Sequence, residues 1–450
     1  MLQLIESLIK AGGRASEYRI AERTKNGLEW YFVRDRLDSS RAVVTTRYEV
    51  TVYVDSINPA ADNPASARTR GECSVLIQPG STEAEIRTIL DRALDTAAGM
   101  KNAWFPLPEP AVSQNAVATS RFDSLSLPQA MEAVRSALYK HDGLDGSTIN
   151  SLEIFLSQQH IHLLTSRGVD VSWKSWNGFC EYIVNAGTRG KDEVELYADL
   201  HFADLDEAPL SEAVRIRLQA ASDRLAAVPT PELKGLPLLL SGHLAADLYE
   251  YWFQNAQAMA VYEKRAAFAV GDDVSAGQGS QKQGSTSPLG DPINLRAIPT
   301  LAGSPLGAPY DQTGFALKPV ELIRDNKVLA VVASSKYAHY LQLPATGAIP
   351  LFEVAGGHDE AATLRAVDHL EVLAFSDFFV DSTTGDFGGE IRLAYLLKGG
   401  KRQPVYGGAV TGNLVDNRGL IRLSRELETS AKARGPVSCL LPIVSITPAG

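Results

Sequence analysis

Hydrophobic spacing along the first hundred residues switches between the two regular periods. Met1, Ile5, Leu8 and Ile9 recur at helical intervals. In Arg47–Asp55, Tyr48, Val50, Val52 and Val54 alternate with Glu49, Thr51 and Tyr53, the period of two expected of a strand with one buried face. Cys73–Ile77 is a short apolar run closed by Pro79 and Gly80. Thr82 and Glu85 have the spacing of a capping box, and Ile86, Ile89, Leu90, Ala93, Leu94 and Ala97 then fall on one helical face. A connector with Pro106, Pro108 and Pro110 leads to a second helix from Ser126, with Pro128 in its first turn, where a missing N–H is tolerated. Strands are expected at Leu152–Leu156, Ile161–Leu164, Val169–Trp173 and Glu193–Phe202, with a turn at Arg167-Gly168. A helix over Ser211–Ala226 follows, striped by Val214, Leu218, Ala221 and Leu225.

The pattern changes around Pro229, Pro231 and Pro237. A short strand at Leu238–Leu240 precedes a helix over Ala245–Ala258. Residues 271–292 are rich in Gly, Ser, Gln, Asp and Pro, the composition of a mobile loop. Beyond Pro319 come short strands at Val320–Ile323, Val328–Val332, His369–Phe375, Ile391–Leu397, Pro404–Val410 and Val437–Ile446. Asp325-Asn326, Gly399-Gly400 and Gly407-Gly408 mark turns between them. The pattern predicts an α+β protein: a helix-and-sheet N-terminal domain over residues 1–232 and a β-rich C-terminal domain over residues 233–450.

Composition narrows this picture. A chain of 450 residues with 45% hydrophobic and 21% charged residues is neither disordered nor fibrous. The net charge is -10, and no block of Lys and Arg exists to displace counterions from a duplex, so nucleic acid is not an expected partner. Cys73, Cys180 and Cys439 form no CxxC pair, which fits a reducing compartment. Glu6 and Lys10 interrupt the first helix, so it does not read as a signal peptide. No run reaches the about 18 apolar residues that span a bilayer, so no membrane insertion and a cytoplasmic location are expected.

Several residues invite chemistry. His160 and His162 share one face of a strand, a polar face unless a third metal ligand joins them. His243 stands just before a helix, as a ligand, a base or a simple helix-end polar group. The Gly277–Gly290 stretch lacks the strand and the Gly-Lys-Ser/Thr ending of a phosphate loop. Asp377, Asp381 and Asp386 surround Thr383-Thr384-Gly385 without calcium-loop spacing, and turn chemistry explains them. Cys439 lies in an apolar run with no basic neighbour, as an inert core thiol would.

The C-terminal half carries a more specific pattern. Tyr310-Asp311-Gln312-Thr313-Gly314, Glu321-Leu322-Ile323 with Val328-Leu329, and Ala345-Thr346-Gly347 occur in order. Thr383-Thr384-Gly385-Asp386-Phe387, Gly408 through Asn413-Leu414, and the terminal Ala449-Gly450 follow. In this the chain resembles the TldD/PmbA family, once labelled modulators of DNA gyrase. The hairpin departs from the family pattern by placing Asn326 at a Gly position, where Asn also tolerates a left-handed turn. Thr165-Ser166-Arg167-Gly168-Val169 is similar to a family turn in the N-terminal half.

The resemblance implies two kinds of subunit. TldD-like chains bear an HExxxH helix whose two His bind zinc, with Glu as general base. PmbA-like chains lack it. Here Tyr249, Glu250 and Gln254 stand at the three motif positions, and a phenol and a neutral amide are poor zinc ligands. No catalytic residue carries over, and no metal or cofactor is expected in this subunit. The implied partner is a zinc-bearing TldD-like subunit in a heterodimer, with a homodimer as the other assembly. The implied substrate is a small or unfolded peptide in extended form. An independent peptidase using His243 with Glu250, or a non-enzymatic homodimeric peptide-binding protein, are the other readings. Tyr251, Trp252 and Phe253 are consecutive, so either one of them points away from the core or the helix is interior on all sides.

Overall fold

The computed structural model describes residues 1–57, 67–117, 119–188, 190–276 and 290–450. Strands β1 (Glu17–Val33), β2 (Arg36–Ile57), β3 (Arg68–Ile77), β4 (Asn102–Ala103), β5 (Thr148–Thr165), β6 (Asp170–Ala186) and β7 (Val194–Phe202) form one antiparallel sheet. Its order is β4-β3-β2-β1-β5-β6-β7. Helices α1 (Leu2–Gly12), α2 (Glu83–Gly99), α3 (Leu127–Tyr139) and α4 (Glu207–Leu225) pack on it. Tyr18 and Ile20 join the core under α1 and α2, while Leu28, Trp30 and Phe32 join the core under α3 and α4. All five share one parity along β1, so the four helices cover a single face of the sheet. The capping box forms as expected: the Thr82 and Glu85 backbone N–H groups each donate to the other residue's side chain.

Two expectations are corrected here. Leu152–Leu156 and Ile161–Leu164 are parts of one strand of 18 residues. The polar Ser157–His160 stretch stays extended because β1 and β6 satisfy its backbone on both edges. Within Arg47–Asp55 the stretch Val50–Tyr53 is buried on both faces, since Thr51 and Tyr53 are as enclosed as Val50 and Val52. The connector supplies the second cover, with Phe105 edge-on to Tyr53 at 6.1 Å and Tyr340 beyond it. On that face the fully buried Arg70 binds Asp55 at 2.7 Å, Glu17 at 2.6 Å and the Phe105 carbonyl at 2.7 Å.

The C-terminal half holds two sheets. The first contains β8 (Val228–Pro229), β9 (Leu238–Ser241), β14 (His369–Val380), β15 (Asp386–Lys398), β16 (Lys401–Tyr406), β17 (Ala409–Asn413), β18 (Arg422–Leu423), β21 (Ser438–Leu441) and β22 (Val444–Thr447). The second runs β12 (Lys327–Val328), β11 (Val320–Arg324), β10 (Leu295–Ile298), β13 (Leu351–Val354), β20 (Ala433–Pro436), β19 (Leu427–Thr429). Short helices α6 (Ala258–Tyr262), α7 (Ser335–Leu341) and α8 (Ala361–Leu364) flank them. Helix α5 (His243–Asn255) lies between the sheets, touching β9 and β14 on one side and β10 and β20 on the other. The mixed α+β class is therefore as expected.

The sandwich decides the question of the consecutive aromatics. Tyr251, Trp252 and Phe253 are all buried, because a helix with a sheet on either side has no outward face along most of its length. Phe253 stacks on Phe352 of β13 at 4.8 Å. Three strand expectations also change. Pro404–Val410 divides at Gly407-Gly408, both at positive φ, into β16 and β17. Val437–Ile446 divides into β21 and β22, and the strand from Val328 ends at that residue. Strands β10 and β13, four residues each, and helix α7 had no periodic signal long enough to read. Of the loop expected at 271–292, residues 277–289 lie outside the described residues, while Val274 at its start is buried and bonded to Asn326. Among the described residues no helix is long and apolar enough to cross a membrane.

Candidate functional site

Strand β9 is three fully buried leucines followed by Ser241, and Gly242 turns the chain from it into α5. Its φ of 61° and ψ of -132° suit a residue without Cβ. The inner faces of α5 carry Leu244, Leu248, Tyr249 and Trp252 into the core. One narrow stripe remains. Asp247, Glu250, Tyr251 and Gln254 are spaced by three, four and seven residues, so they share a face. With Phe378 and Val380 at the end of β14 and Ser382 in the turn after it, they line a cleft of about 370 Å³.

The polar groups of the cleft are unequally satisfied. Glu250 accepts from Gln254 Nε2 at 2.9 Å and from Lys432 Nζ at 2.9 Å. Burial pulls the Lys432 ammonium down, but its bond to Glu250 outweighs this and holds it above its usual range. Asp247 has neither kind of partner among the described residues. Its carboxyl is raised above the ordinary value, first by burial, then by Glu250 and Asp199, against an opposing pull from Lys432. The Tyr251 hydroxyl is buried and also unpartnered. Beneath the cleft, buried Asn255 donates to the Tyr251 carbonyl at 2.9 Å and to the Ser382 carbonyl at 2.7 Å, joining helix to strand. Its side-chain oxygen accepts from Ala267 N–H at 2.6 Å.

The three degenerate motif positions do not converge. Tyr249 is fully enclosed in the core, where its hydroxyl donates to the Pro436 carbonyl at 3.2 Å. Burial pushes that phenol well above 10. Gly435 lies against the ring so closely that a Cβ there would meet Tyr249 Cδ2 at 3.0 Å. Gln254, by contrast, faces the cleft, and Glu250 is already engaged. Zinc requires three or four donors converging at about 2.0–2.3 Å, and these residues do not provide them. Among the described residues no group of three His, Cys, Asp or Glu is arranged to hold a metal.

Among the other sequence candidates, His162, Asp381 and Asp386 have side-chain hydrogen bonds, and His243 and Asp377 have none among the described residues. His162 bonds Asp170 at 2.7 Å on the surface of β5. His243 opens α5, exposed, and lies seven residues from Glu250, about 10 Å along the axis, out of hydrogen-bond reach. Asp381 accepts from the backbone N–H of Thr383 and Thr384, and Asp386 is bonded by Asn413 and Thr384, as turn chemistry expects. Asp377 is exposed on β14. Cys439 is fully buried and its thiol is pushed up to about 12 by that burial.

The strand wall of the cleft has an open flank. Strand β9 pairs with β14 only at Leu370, Glu371 and Val372. From Leu373 to Val380 the β9-side edge of β14 has no strand partner among the described residues. Sequence reasoning missed this edge and missed Asp247, Tyr251 and Lys432 as neighbours. The helical spacing of Asp247, Glu250, Tyr251 and Gln254 was a usable signal; nothing local marked Lys432 or Phe378.

The arrangement defines a class: a long helix clasped between two sheets, following a helix-backed antiparallel sheet. Residues 234–447 match the family model of the PmbA/TldA metallopeptidase C-terminal domain, and that region belongs to this family. The whole chain shares its fold with TldE from Thermococcus kodakarensis, at 14% identity, a TM-score of 0.75, and coverage of 99% of this chain and 100% of that one. A candidate modulator of DNA gyrase from Thermotoga maritima gives 14% identity and a TM-score of 0.76, covering 99% of this chain and 98% of its own. One from Bacteroides thetaiotaomicron gives 14% and 0.75, covering 100% and 98%. No curated protein matches the chain. The chain thus carries a PmbA/TldA-type C-terminal domain on a fold shared with TldE, in line with the resemblance of its sequence pattern.

Proposed function

We propose that this chain is a cytoplasmic, metal-free subunit of a TldD/TldE-type peptidase complex, in which a TldD-like partner carries zinc and the cleavage chemistry. The observation behind this reading is the divergence of Tyr249 and Gln254, one locked in the core and one facing the cleft. The metallopeptidase description of the matching family and the TldE name of a structural neighbour support the assembly. The subunit's own task is to hold an extended peptide. The open flank of β14 offers unpaired N–H and C=O groups beside the cleft, and an added strand would satisfy them while its side chains enter pockets alternately.

Co-expression with an HExxxH-bearing homologue tests this. The expected result is a stable hetero-complex that contains zinc and cleaves unfolded peptide, while this chain alone contains no stoichiometric zinc and cleaves nothing. Stoichiometric zinc in the isolated chain, lost on His243→Ala, would overturn the reading. A homodimer with no affinity for the homologue would remove the assembly.

A further inference from the structure

The face of the N-terminal sheet opposite its helices carries two adjacent rows of side chains that cross β1, β5, β6 and β7. In the first row Glu29 stands opposite Phe155, Phe155 opposite Phe179, and Phe179 opposite His201. Ring centroids lie 5.7 Å apart for Phe155 and Phe179, and 4.8 Å apart for Phe179 and His201. In the second row Tyr31 stands opposite Glu153, Glu153 opposite Glu181, and Glu181 opposite Asp199. Phe155 and Phe179 are half-buried and join no hydrophobic core among the described residues. Three carboxylates in direct cross-strand register repel one another, a placement that costs stability. Their surroundings do little to offset it. Glu153 has no side-chain partner among the described residues, Glu181 accepts from the Tyr197 hydroxyl at 3.1 Å, and Asp199 lies 3.5 Å from His201. Arg217 of α4 attracts Asp199 without forming an ion pair with it, and Arg41 is bound to Glu29.

We infer that this open face docks a polypeptide segment bearing arginines at alternate positions. The aromatic row and the acidic row together set that occupant. An anionic partner, nucleic acid or phospholipid included, meets three carboxylates. An apolar segment would bury those carboxylates unpaired, which is costly. A guanidinium lies flat on an aromatic ring and donates as a fork to a carboxylate, so it uses both rows at once. An ammonium is a point charge without the planar fork and uses the aromatic row less well. The spacing fits an extended chain. Neighbouring strands are about 4.8 Å apart, so three carboxylates span about 10 Å, and alternate side chains of an extended segment recur every 6.5–7 Å or so. Two arginines two residues apart therefore reach the acidic row together, with Phe155 and Phe179 beneath them. The surface belongs to the N-terminal sheet, and its assignment does not rest on the peptide-holding role proposed for β14.

Calorimetry on the full chain compares acetyl-Ala-Arg-Ala-Arg-Ala-amide with its Gln and Lys counterparts. The Arg peptide is expected to bind at least about tenfold more tightly than the Gln peptide at low salt, with the advantage shrinking as salt screens it. Glu153→Gln combined with Glu181→Gln should remove most of that advantage and yet melt no lower than the parent, because repulsion across the strands is relieved. Phe179→Leu should weaken the Arg peptide by a few-fold more than the Lys peptide. No advantage over the Gln peptide, or an advantage undiminished in the double variant, overturns the inference. A double variant melting well below the parent shows that the carboxylates serve the fold, and also overturns it. Lys peptide binding as tightly as Arg peptide removes the arginine assignment. Spermine that binds as tightly as the Arg peptide and displaces it removes the polypeptide. The role of β14 is judged separately. Gln-peptide binding that these variants leave unchanged, without an Arg advantage, keeps that role and removes the docking face. An Arg advantage with no affinity for the Gln peptide does the reverse.

Discussion

The N-terminal sheet and the α5 sandwich are both largely buried, but they are assembled over different distances in the chain. In the N-terminal half, β1 with β2, β2 with β3, β5 with β6, and β6 with β7 are sequence neighbours joined by antiparallel pairing. Its helices need only one apolar stripe each. Around α5, contacts come from Leu238, Phe352, Phe378, Lys432 and Pro436, drawn from across the C-terminal half. The first region stores its specificity in a buried ion network, and the second in close aromatic packing. A region built from distant pieces can leave polar groups of one helix face open without disturbing the rest, which is where the cleft lies.

The largest effects should come from striking the centre of each region. Arg70→Met strands Glu17 and Asp55 in their enclosed positions and should cost about 3–5 kcal/mol in denaturant unfolding. A neutral outcome would mean that the ion network does not organise the sheet. The acid limb sharpens this test. Burial raises the Asp55 carboxyl, but Arg70 and its other partners outweigh burial and hold it below the usual value. Its stabilisation is therefore present above the unfolded carboxylate value and is lost as pH falls through the lower folded one. Arg70→Met should flatten that loss. In the other region, Trp252→Ala should cost about 3–5 kcal/mol, as for a buried aromatic. Association of the folded fraction with partners should be unchanged; weakened association at intact stability would place Trp252 at an interface instead of the core.

A smaller effect is expected at Gly435. Adding a methyl drives Cβ against the Tyr249 ring, and Gly435→Ala should cost about 1–3 kcal/mol. Gly80→Ala, where a Cβ meets nothing, should stay within about 0.5 kcal/mol and serves as the control. Equal effects at the two sites would show that the packing around α5 is looser than described. The smallest effect is at Asp247. Its raised carboxyl means that stability is fullest below the unfolded carboxylate value and declines as pH rises through the folded one. Asp247→Asn should therefore gain stability relative to the parent with rising pH, by at most about 1 kcal/mol, as for partly exposed charges. A gain appearing only at acid pH would contradict that environment.

Local rules carried far where a segment's neighbours are its own sequence. The Thr82–Glu85 box, the Ile86–Ala97 stripe, Pro128 in its first turn and the Asp325-Asn326 hairpin all follow from a few adjacent residues. They failed where a distant segment decides. Ser157–His160 looks like a break in a strand until β1 and β6 bracket it. Tyr53 looks outward until Phe105 and Tyr340 cover it. The aromatics of α5 could not be placed because burial on both sides depends on Phe352 and Pro436, far along the chain. Of the three substituted positions, Glu250 and Gln254 line the cleft and Tyr249 does not, and the shape of the cleft was not legible. Phe378, Val380 and Ser382 of its lining come from β14 and the turn after it, and the charge on Glu250 is answered by Lys432, 182 residues away.

The open flank of β14 also bears on solubility. An unpaired strand edge accepts any chain, including another copy of the same protein, and natural sheets guard such edges with irregularity and charge. Here the pairing with β15 shifts register repeatedly between Val372 and Phe378, and Ser376 and Asp377 stand exposed beside the shift. Smoothing or neutralising that stretch, for instance with Asp377→Val, would make the edge a better template for every strand at once. Light scattering should then rise with concentration before peptide affinity does. The grip of such an edge on its cargo is bounded by the need to stay a poor partner for itself.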